Sequence, residues 1–204
     1  VKQVEKNEPS KWAEETVDSA IMDGIIPLEL QGNYKDPITR AEFTRIIMAT
    51  INKLFNHDAV MEILSPVNHF TISTFEDTKD PFVLAASGLN IIEGYGNGKF
   101  GPDDLLTREQ AAKILTKMLD VLEVRETNKP AIIFSDENII SPWAKDYVKF
   151  ITACHVNKLD TLIMEGAGTN FDPLGKYTKE QSYLTVYRLL GYVEQKNPYY
   201  KGVK

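Results

Sequence analysis

"PITRAEF" at 37–43 opens with a proline and a threonine and then turns apolar, and the chain repeats the arrangement as "LLTREQA" at 105–111 and "KYTKEQS" at 176–182. In each copy the threonine is followed three residues on by Glu or Gln: Thr39 and Glu42, Thr107 and Gln110, Thr178 and Gln181. That is the spacing of a capping box, in which the hydroxyl accepts from the N3 backbone N–H and the N3 side chain reaches back to the N-cap N–H. Two orphan donors of the first helical turn are satisfied together. Behind each box runs an apolar stripe at helical spacing: Phe43, Ile46, Ile47, Ile51 and Leu54; Ala111, Ile114, Leu115, Met118 and Leu122; Tyr183, Val186, Tyr187 and Leu190. One box is a weak signal. Three, each opening an apolar helix, predict three helices that start alike, at an interval of roughly seventy residues that is long for a solenoid unit.

The context upstream repeats as well. A glycine, an aromatic and a proline precede each box, in "GNYKDP" (32–37), "GKFGP" (98–102) and "GTNFDP" (168–173). Glycine and asparagine supply the positive φ of a tight turn, and proline fixes the approach to the next helix. Before each loop another helix is expected, starting near "SKWAEETVDSAI" (10–21), "PFVLAASGL" (81–89) and "SPWAKDYVKFITACHV" (141–156). In the third, Trp143, Tyr147, Phe150, Ile151 and Cys154 are expected to share one face. "FEDTKDP" (75–81) and "FSDENIISP" (134–142) stand ahead of the second and third of these helices.

Read together, these motifs resemble the S-layer homology repeat of bacterial cell-surface proteins, and "ITRAE" at 38–42 is that family's most specific signature. "LTREQ" is a common variant; "YTKEQ" departs by placing Lys179 where the others have Arg40 and Arg108. The first copy lacks a clear F-x-D opening, Val4-Glu5 being its remnant, and the third carries a longer loop around "NKLDTLIMEGAG". The boundaries expected are 1–55, 75–122 and 134–192 for the repeats, 56–74 and 123–133 for connectors, and 193–204 for a tail, with the three repeats forming one structural unit. The connector at 56–74 has enough apolar residues (Val60, Ile63, Leu64) for a brief helix. The resemblance implies an all-α fold, three helix-loop-helix repeats in a pseudo-threefold arrangement around a central three-helix bundle. It further implies non-covalent anchoring of an exported protein by an anionic, pyruvylated secondary cell wall polysaccharide. The alternative from another class is a protein-interaction or surface-array module that binds no glycan.

The totals agree with a globular binding module. The chain has 204 residues, 43% of them hydrophobic, and a net charge of −6. A repeat of about fifty residues is marginal alone, so mutual burial is the natural solution. No basic face argues for nucleic acid, and no apolar run is long enough to span a membrane. No signal peptide is visible; the polar start "VKQVEKNEPS" reads as a fragment of a longer secreted, cell-surface protein whose cargo domain lies elsewhere. The single cysteine, Cys154, reads as a small buried hydrophobe on a helix, with His155 on another face. Neither it nor His57, His69 and His155 makes a metal or dyad pattern, and no metal or cofactor is expected.

The chemistry of interest sits at the first helical position, occupied by Arg40, Arg108 and Lys179. A cation there is slightly unfavourable for its own helix. It serves either an anion docked at the helix start, which would receive backbone donors and a side-chain fork, or an ion pair with a neighbouring carboxylate such as Asp77 or Asp136. The family resemblance favours the anion, with Lys179 the weaker contact, and implies groove walls made by Asp77, Asp136, Trp12, Trp143, Gly32, Gly94, Gly96 and Gly166. Tryptophans that open helices are more often core than sugar platform; Phe82 fills the matching place in the second copy. Glu42 is explained by its capping box, and its counterparts Gln110 and Gln181 could not act as acids, so no enzyme is expected. "EGYGNGKFGPDD" (93–104) lacks the ligand order of an EF-hand.

Overall fold

In the computed structural model, residues 8–56, 58–65, 70–127, 129–156, 161–197 and 199–200 are described. Val4-Glu5, His57, His69, residues 157–160 of the long third loop and the end of the tail lie outside them. The described chain is mostly helical. Three long helices, α2 (Arg40–Phe55), α5 (Arg108–Val121) and α7 (Lys179–Lys196), each begin at a complete capping box, on Thr39, Thr107 and Thr178. Four shorter ones are α1 (Glu14–Met22), α3 (Ala59–Ile63), α4 (Pro81–Gly88) and α6 (Lys145–Ile151). Pro81 stands in the first turn of α4, where its missing N–H is harmless, and the Asp80 side chain accepts from Phe82 N–H at 2.9 Å. The brief helix α3 falls in the connector and buries Val60 and Ile63.

Consecutive helices do not simply pair within a repeat. The short helix α4 packs on α2, α6 on α5 and α1 on α7, so each lies against a long helix from another copy of the motif. Among the long helices α7 contacts both α2 and α5.

The starts of the long helices interlock in the same cyclic order. The first two N–H groups of α2, from Arg40 and Ala41, donate to Asp104 and Pro102 carbonyls at 2.9 and 3.0 Å. Those of α5, from Arg108 and Glu109, donate to Gly175 and Pro173 at 3.1 and 3.0 Å. Those of α7, from Lys179 and Glu180, return to Asp36 and Tyr34 at 3.0 and 2.8 Å. The residues just before the threonines close a ring: Ile38 N–H donates to Tyr177 at 2.8 Å, Tyr177 to Leu106 at 2.9 Å and Leu106 to Ile38 at 2.9 Å. All three side chains are buried. With the box supplying partners at N-cap and N3, the four donors that any helix leaves orphaned are all satisfied. One contiguous core runs from Ala13 to Tyr200 and takes in Phe43, Phe100, Phe171, Tyr177, Tyr183 and Tyr192.

Two local expectations change. His155–Val156 is a strand, β1, paired antiparallel with Thr161–Leu162, β2, so Cys154 and His155 do not share a helix. The buried residues of α6 are Val148 and Ile151, while Trp143 lies before the helix and is 47% exposed, so it is not part of one buried face. The helix is short, and its inward side is set by where α5 lies.

Replacing Thr39 with alanine is expected to lower stability by about 1 kcal/mol through loss of the N-cap, and Thr107→Ala and Thr178→Ala should do likewise, read by thermal or denaturant melts. A peptide of residues 75–122 should show no cooperative transition by circular dichroism, because α4 finds its main partner, α2, outside that segment. A cooperative melt of that peptide would refute the shared core.

Candidate functional site

The aromatic-x-aspartate motifs act as clasps on the loops. The Asp77 carboxylate accepts from Phe100 and Gly101 N–H at 2.9 and 2.8 Å. Asp136 accepts from Phe171 and Asp172 N–H at 2.8 and 2.8 Å. The rings of Phe75 and Phe134 pack on those of Phe100 and Phe171, with centroids 5.5 and 5.4 Å apart. The Phe100 N–H bond, foremost, holds the Asp77 carboxyl below its ordinary range.

Arg40 and Arg108 grip the same loops from the other side. Arg40 Nε donates to the Phe100 carbonyl and Nη2 to the Glu93 carbonyl, both at 3.0 Å. Arg108 Nε donates to Phe171 at 2.7 Å, and its Nη2 to the Glu165 carbonyl. The Phe100–Gly101 peptide is therefore held at its N–H by Asp77 and at its C=O by Arg40; the Phe171–Asp172 peptide is held in the same way by Asp136 and Arg108. The arginines are 7% and 8% exposed, and their guanidiniums lie over Tyr95 and Phe100, and over Phe171 and Tyr177. Burial lowers the Arg40 pKa, opposed by Tyr95, Asp104 and Asp77; arginine remains a cation throughout. A direct ion pair with Asp77 or Asp136 is not formed, and an anion at the helix start would lack the free backbone donors expected from the sequence. The helix-start N–H groups are occupied by neighbouring loops, and the arginines reach the aspartates through a peptide rather than directly.

Two cavities open beside these clamps. The first, about 150 Å³, is lined by Arg40, Glu93, Gly94, Tyr95, Gln110, Lys113 and Trp143, among others. The second, about 360 Å³, is lined by Arg108, Glu165, Gly166, Tyr177, Gln181, Arg188 and Trp12, among others. Corresponding residues stand in both: the buried arginine, a Glu-Gly pair, the capping-box glutamine and a tryptophan. Trp12 and Trp143 are 55% and 47% exposed and line cavities; they are not core. Their turns are anchored by Glu180, which accepts from Ser10 N and Oγ at 2.8 and 2.9 Å, and by Glu109, which accepts from Ser141 N and Oγ at 3.0 and 2.8 Å.

Gly94 and Gly166 are required by close approach. A Cβ on Gly94 would meet the Lys99 carbonyl at 2.5 Å, and one on Gly166 the Asn170 carbonyl at 2.6 Å. Gly32 and Gly96 line neither cavity; both have positive φ and serve their turns. Asp77 and Asp136 hold loops and do not line either cavity.

At the corresponding place on the start of α7 the chemistry is closed. Lys179 Nζ pairs with Glu42 Oε1 at 2.9 Å, and Glu42 Oε2 also accepts from Thr39 N–H at 2.9 Å. Arg45 pairs with Asp80 at 2.8 Å and lies 6.0 Å from the Phe82 ring centroid. The loop reads "IIPL" (25–28) where the other two read "IIEG" (91–94) and "IMEG" (163–166), so it has neither the glutamate nor the glycine. That Glu-Gly pair was a readable signal for Glu93 and Glu165, which the sequence reading missed along with Lys113 and Arg188.

Cys154 is fully buried and its thiol is pushed up to about 11 by burial, which makes it a poor nucleophile. Among the described residues no group of acidic, His or Cys side chains could hold a metal ion, and no helix is long and apolar enough to cross a membrane.

The carboxyl of Asp77 gives a stability signature with a definite sign. A depressed native pKa contributes stability that is present above the unfolded value and lost as pH falls through the folded one. Stability should therefore fall as pH drops below the ordinary carboxylate range, and Asp77→Asn should flatten that part of the curve in melts followed against pH.

Residues 75–112 match the family model of the S-layer homology domain. The chain is 33% identical over 182 residues to a surface-layer 125 kDa protein of Lysinibacillus sphaericus, a match covering 85% of this chain and 14% of that protein. It is 28% identical over 191 residues to an amylopullulanase of Thermoanaerobacterium thermosulfurigenes, covering 88% of this chain and 9% of the enzyme. It is 28% identical over 183 residues to exoglucanase XynX of Acetivibrio thermocellus, covering 88% and 15% respectively. The chain thus spans only a small part of the length of each curated relative.

Proposed function

The chain belongs to the S-layer homology family, whose model matches residues 75–112, and we propose that it moors a longer surface protein to a bacterial cell wall by binding an anionic, pyruvylated secondary polysaccharide. In this reading three repeats, 1–55, 75–122 and 134–192, stand in a pseudo-threefold arrangement about the long helices. The observation that carries it is the pair of corresponding cavities, each with an exposed tryptophan, a capping-box glutamine, a buried arginine and a further cation. Aromatic faces suit sugar rings, amides suit hydroxyls, and cations suit a ketal carboxylate. The relatives favour anchoring over catalysis: a surface-layer protein and two enzymes share with this chain only 14%, 9% and 15% of their own length. The module binds and does not catalyse.

The two cavities are the glycan sites, and the α7 position is weak or empty. There the capping-box residue is Glu42, whose charge would repel an anion and already occupies Lys179.

Calorimetric titration with purified wall polysaccharide, with and without its acidic substituents, tests the proposal. Trp143→Ala and Trp12→Ala should each weaken one groove by about tenfold or more, and together should abolish binding without loss of fold. Lys179→Ala should leave binding nearly unchanged. Equal binding of the stripped polymer would remove the anion from the reading, and no binding of either polymer would favour a protein partner.

A further inference from the structure

Each groove holds a second cation that is not buried. Lys113, on α5, pairs with Glu93 at 2.9 Å, its side chain 28% exposed against 59% for the glutamate. Arg188, on α7, pairs with Glu165 at 2.8 Å, 20% exposed against 53%, and the same Nη1 donates to the Leu162 carbonyl at 3.1 Å. The glutamates are the residues whose carbonyls accept from Arg40 and Arg108 Nη2. Their backbones are fixed by the clamp while their carboxylates reach across the groove. Each carboxylate has one hydrogen-bond partner among the described residues, the cation opposite.

The cations are also placed for ligand contact. Lys113 Nζ lies 5.9 Å from the centroid of Trp143, which lines the same cavity. Arg188 lines the second cavity with Trp12. The remaining anion receptors named from the sequence are less free. Helix-start N–H groups donate to neighbouring loops, and the buried arginines already give Nε and Nη2 to carbonyls.

We infer that Glu93–Lys113 and Glu165–Arg188 are exchangeable clasps, in which the glycan's carboxylate displaces the glutamate and takes its cation. The inference rests on the glycan reading above and assigns which residues read the acidic group. An exposed glutamate loses little on release, since it returns to water and an exposed ion pair is weak. The contrast is Arg45, which stands at the position in α2 that Lys113 holds in α5. It is held by two carboxylates, Glu29 at 3.7 Å and Asp80 at 2.8 Å; Asp80 is 9% exposed and caps α4 as well, so it cannot swing away without uncapping a helix. The two grooves also carry their second cation at different depths along the helix, so they receive the acid group in different positions.

The test uses the whole chain and two probes: the methyl glycoside of a pyruvyl-ketal-bearing amino sugar, and its neutral methyl ester, titrated calorimetrically. Glu93→Gln with Glu165→Gln should tighten the acid form about two- to fivefold, the worth of an exposed ion pair, and leave the ester unchanged. Lys113→Met with Arg188→Met should weaken the acid form and erase the preference for acid over ester. Arg45→Met should change neither. Weaker acid binding by the glutamine variants would make the glutamates direct sugar contacts and overturn the exchange. An acid preference that survives the methionine variants would return anion reading to Arg40 and Arg108 and overturn it too. Binding of neither probe by the parent protein would sink the glycan reading, and this inference with it.

Discussion

Ile38, Tyr177 and Leu106 pass three backbone hydrogen bonds around a closed ring, and the rest of the architecture depends on that closure. Each donor belongs to the residue before a helix-capping threonine, so the ring sets where the three long helices begin and which way they leave. Immediately after it, the N1 and N2 donors of each helix find carbonyls in the loop of another copy. A helix normally leaves four donors to water or to its own side chains. At the three long helices two of the four are satisfied only from another copy, so none of these starts is complete until its neighbour is in place. The short helices obey the same rule, since α1, α4 and α6 pack on α7, α2 and α5. Cooperativity follows from capping as much as from apolar burial.

The grooves are a by-product of that interlock. At the starts of α2 and α5 a buried arginine reaches into the neighbouring loop and holds two of its carbonyls, while an aspartate holds the facing N–H groups. This fixes a loop that would otherwise be too glycine-rich to keep one shape. Once fixed, it presents Glu93 and Gly94, or Glu165 and Gly166, opposite a helix face and beside a tryptophan. The tryptophans can stay half exposed because their positions come from Ser10 and Ser141, each gripped by a buried glutamate, and not from burial of the rings. A site built in this way is preorganised by main-chain bonds and leaves its side-chain faces for a ligand.

What could be read from the sequence was local. Capping boxes, apolar stripes and the proline-led start of α4 are encoded within a few residues, and they locate helices without reference to the rest of the chain. The exchange of partners between copies is not encoded that way: nothing in "PFVLAASG" says that it will rest on α2 and not on the helix that follows it. The same limit applied to the site. Arg40 and Arg108 stood out by motif, but their burial against Phe100 and Phe171 depends on loops some sixty residues away. Residue type alone favours core for Trp12 and Trp143 and only the family resemblance sets them on groove walls, because exposure of a tryptophan is decided by its neighbours. Glu109 and Glu180 occupy first-turn positions where a glutamate is ordinarily explained by the helix dipole, which hid their grip on the serines.

The asymmetry among the three helix starts comes down to a few atoms. Gln110 and Gln181 complete their boxes with a neutral carbonyl oxygen and leave an amide nitrogen beside the cavity. Glu42 completes the same box with a carboxylate oxygen, and its second oxygen carries charge that needs a partner. Lys179 supplies it, being long and flexible enough to reach back where a buried, planar arginine could not leave its carbonyls. Lys179 and Glu42 therefore act as a matched pair, each meeting the other's charge. The pair keeps the helix start intact, and the first loop, "IIPL", carries neither the glutamate nor the glycine of the other two. With Lys179 paired to Glu42, this helix start is held by an ion pair where the other two present a neutral amide beside a cavity.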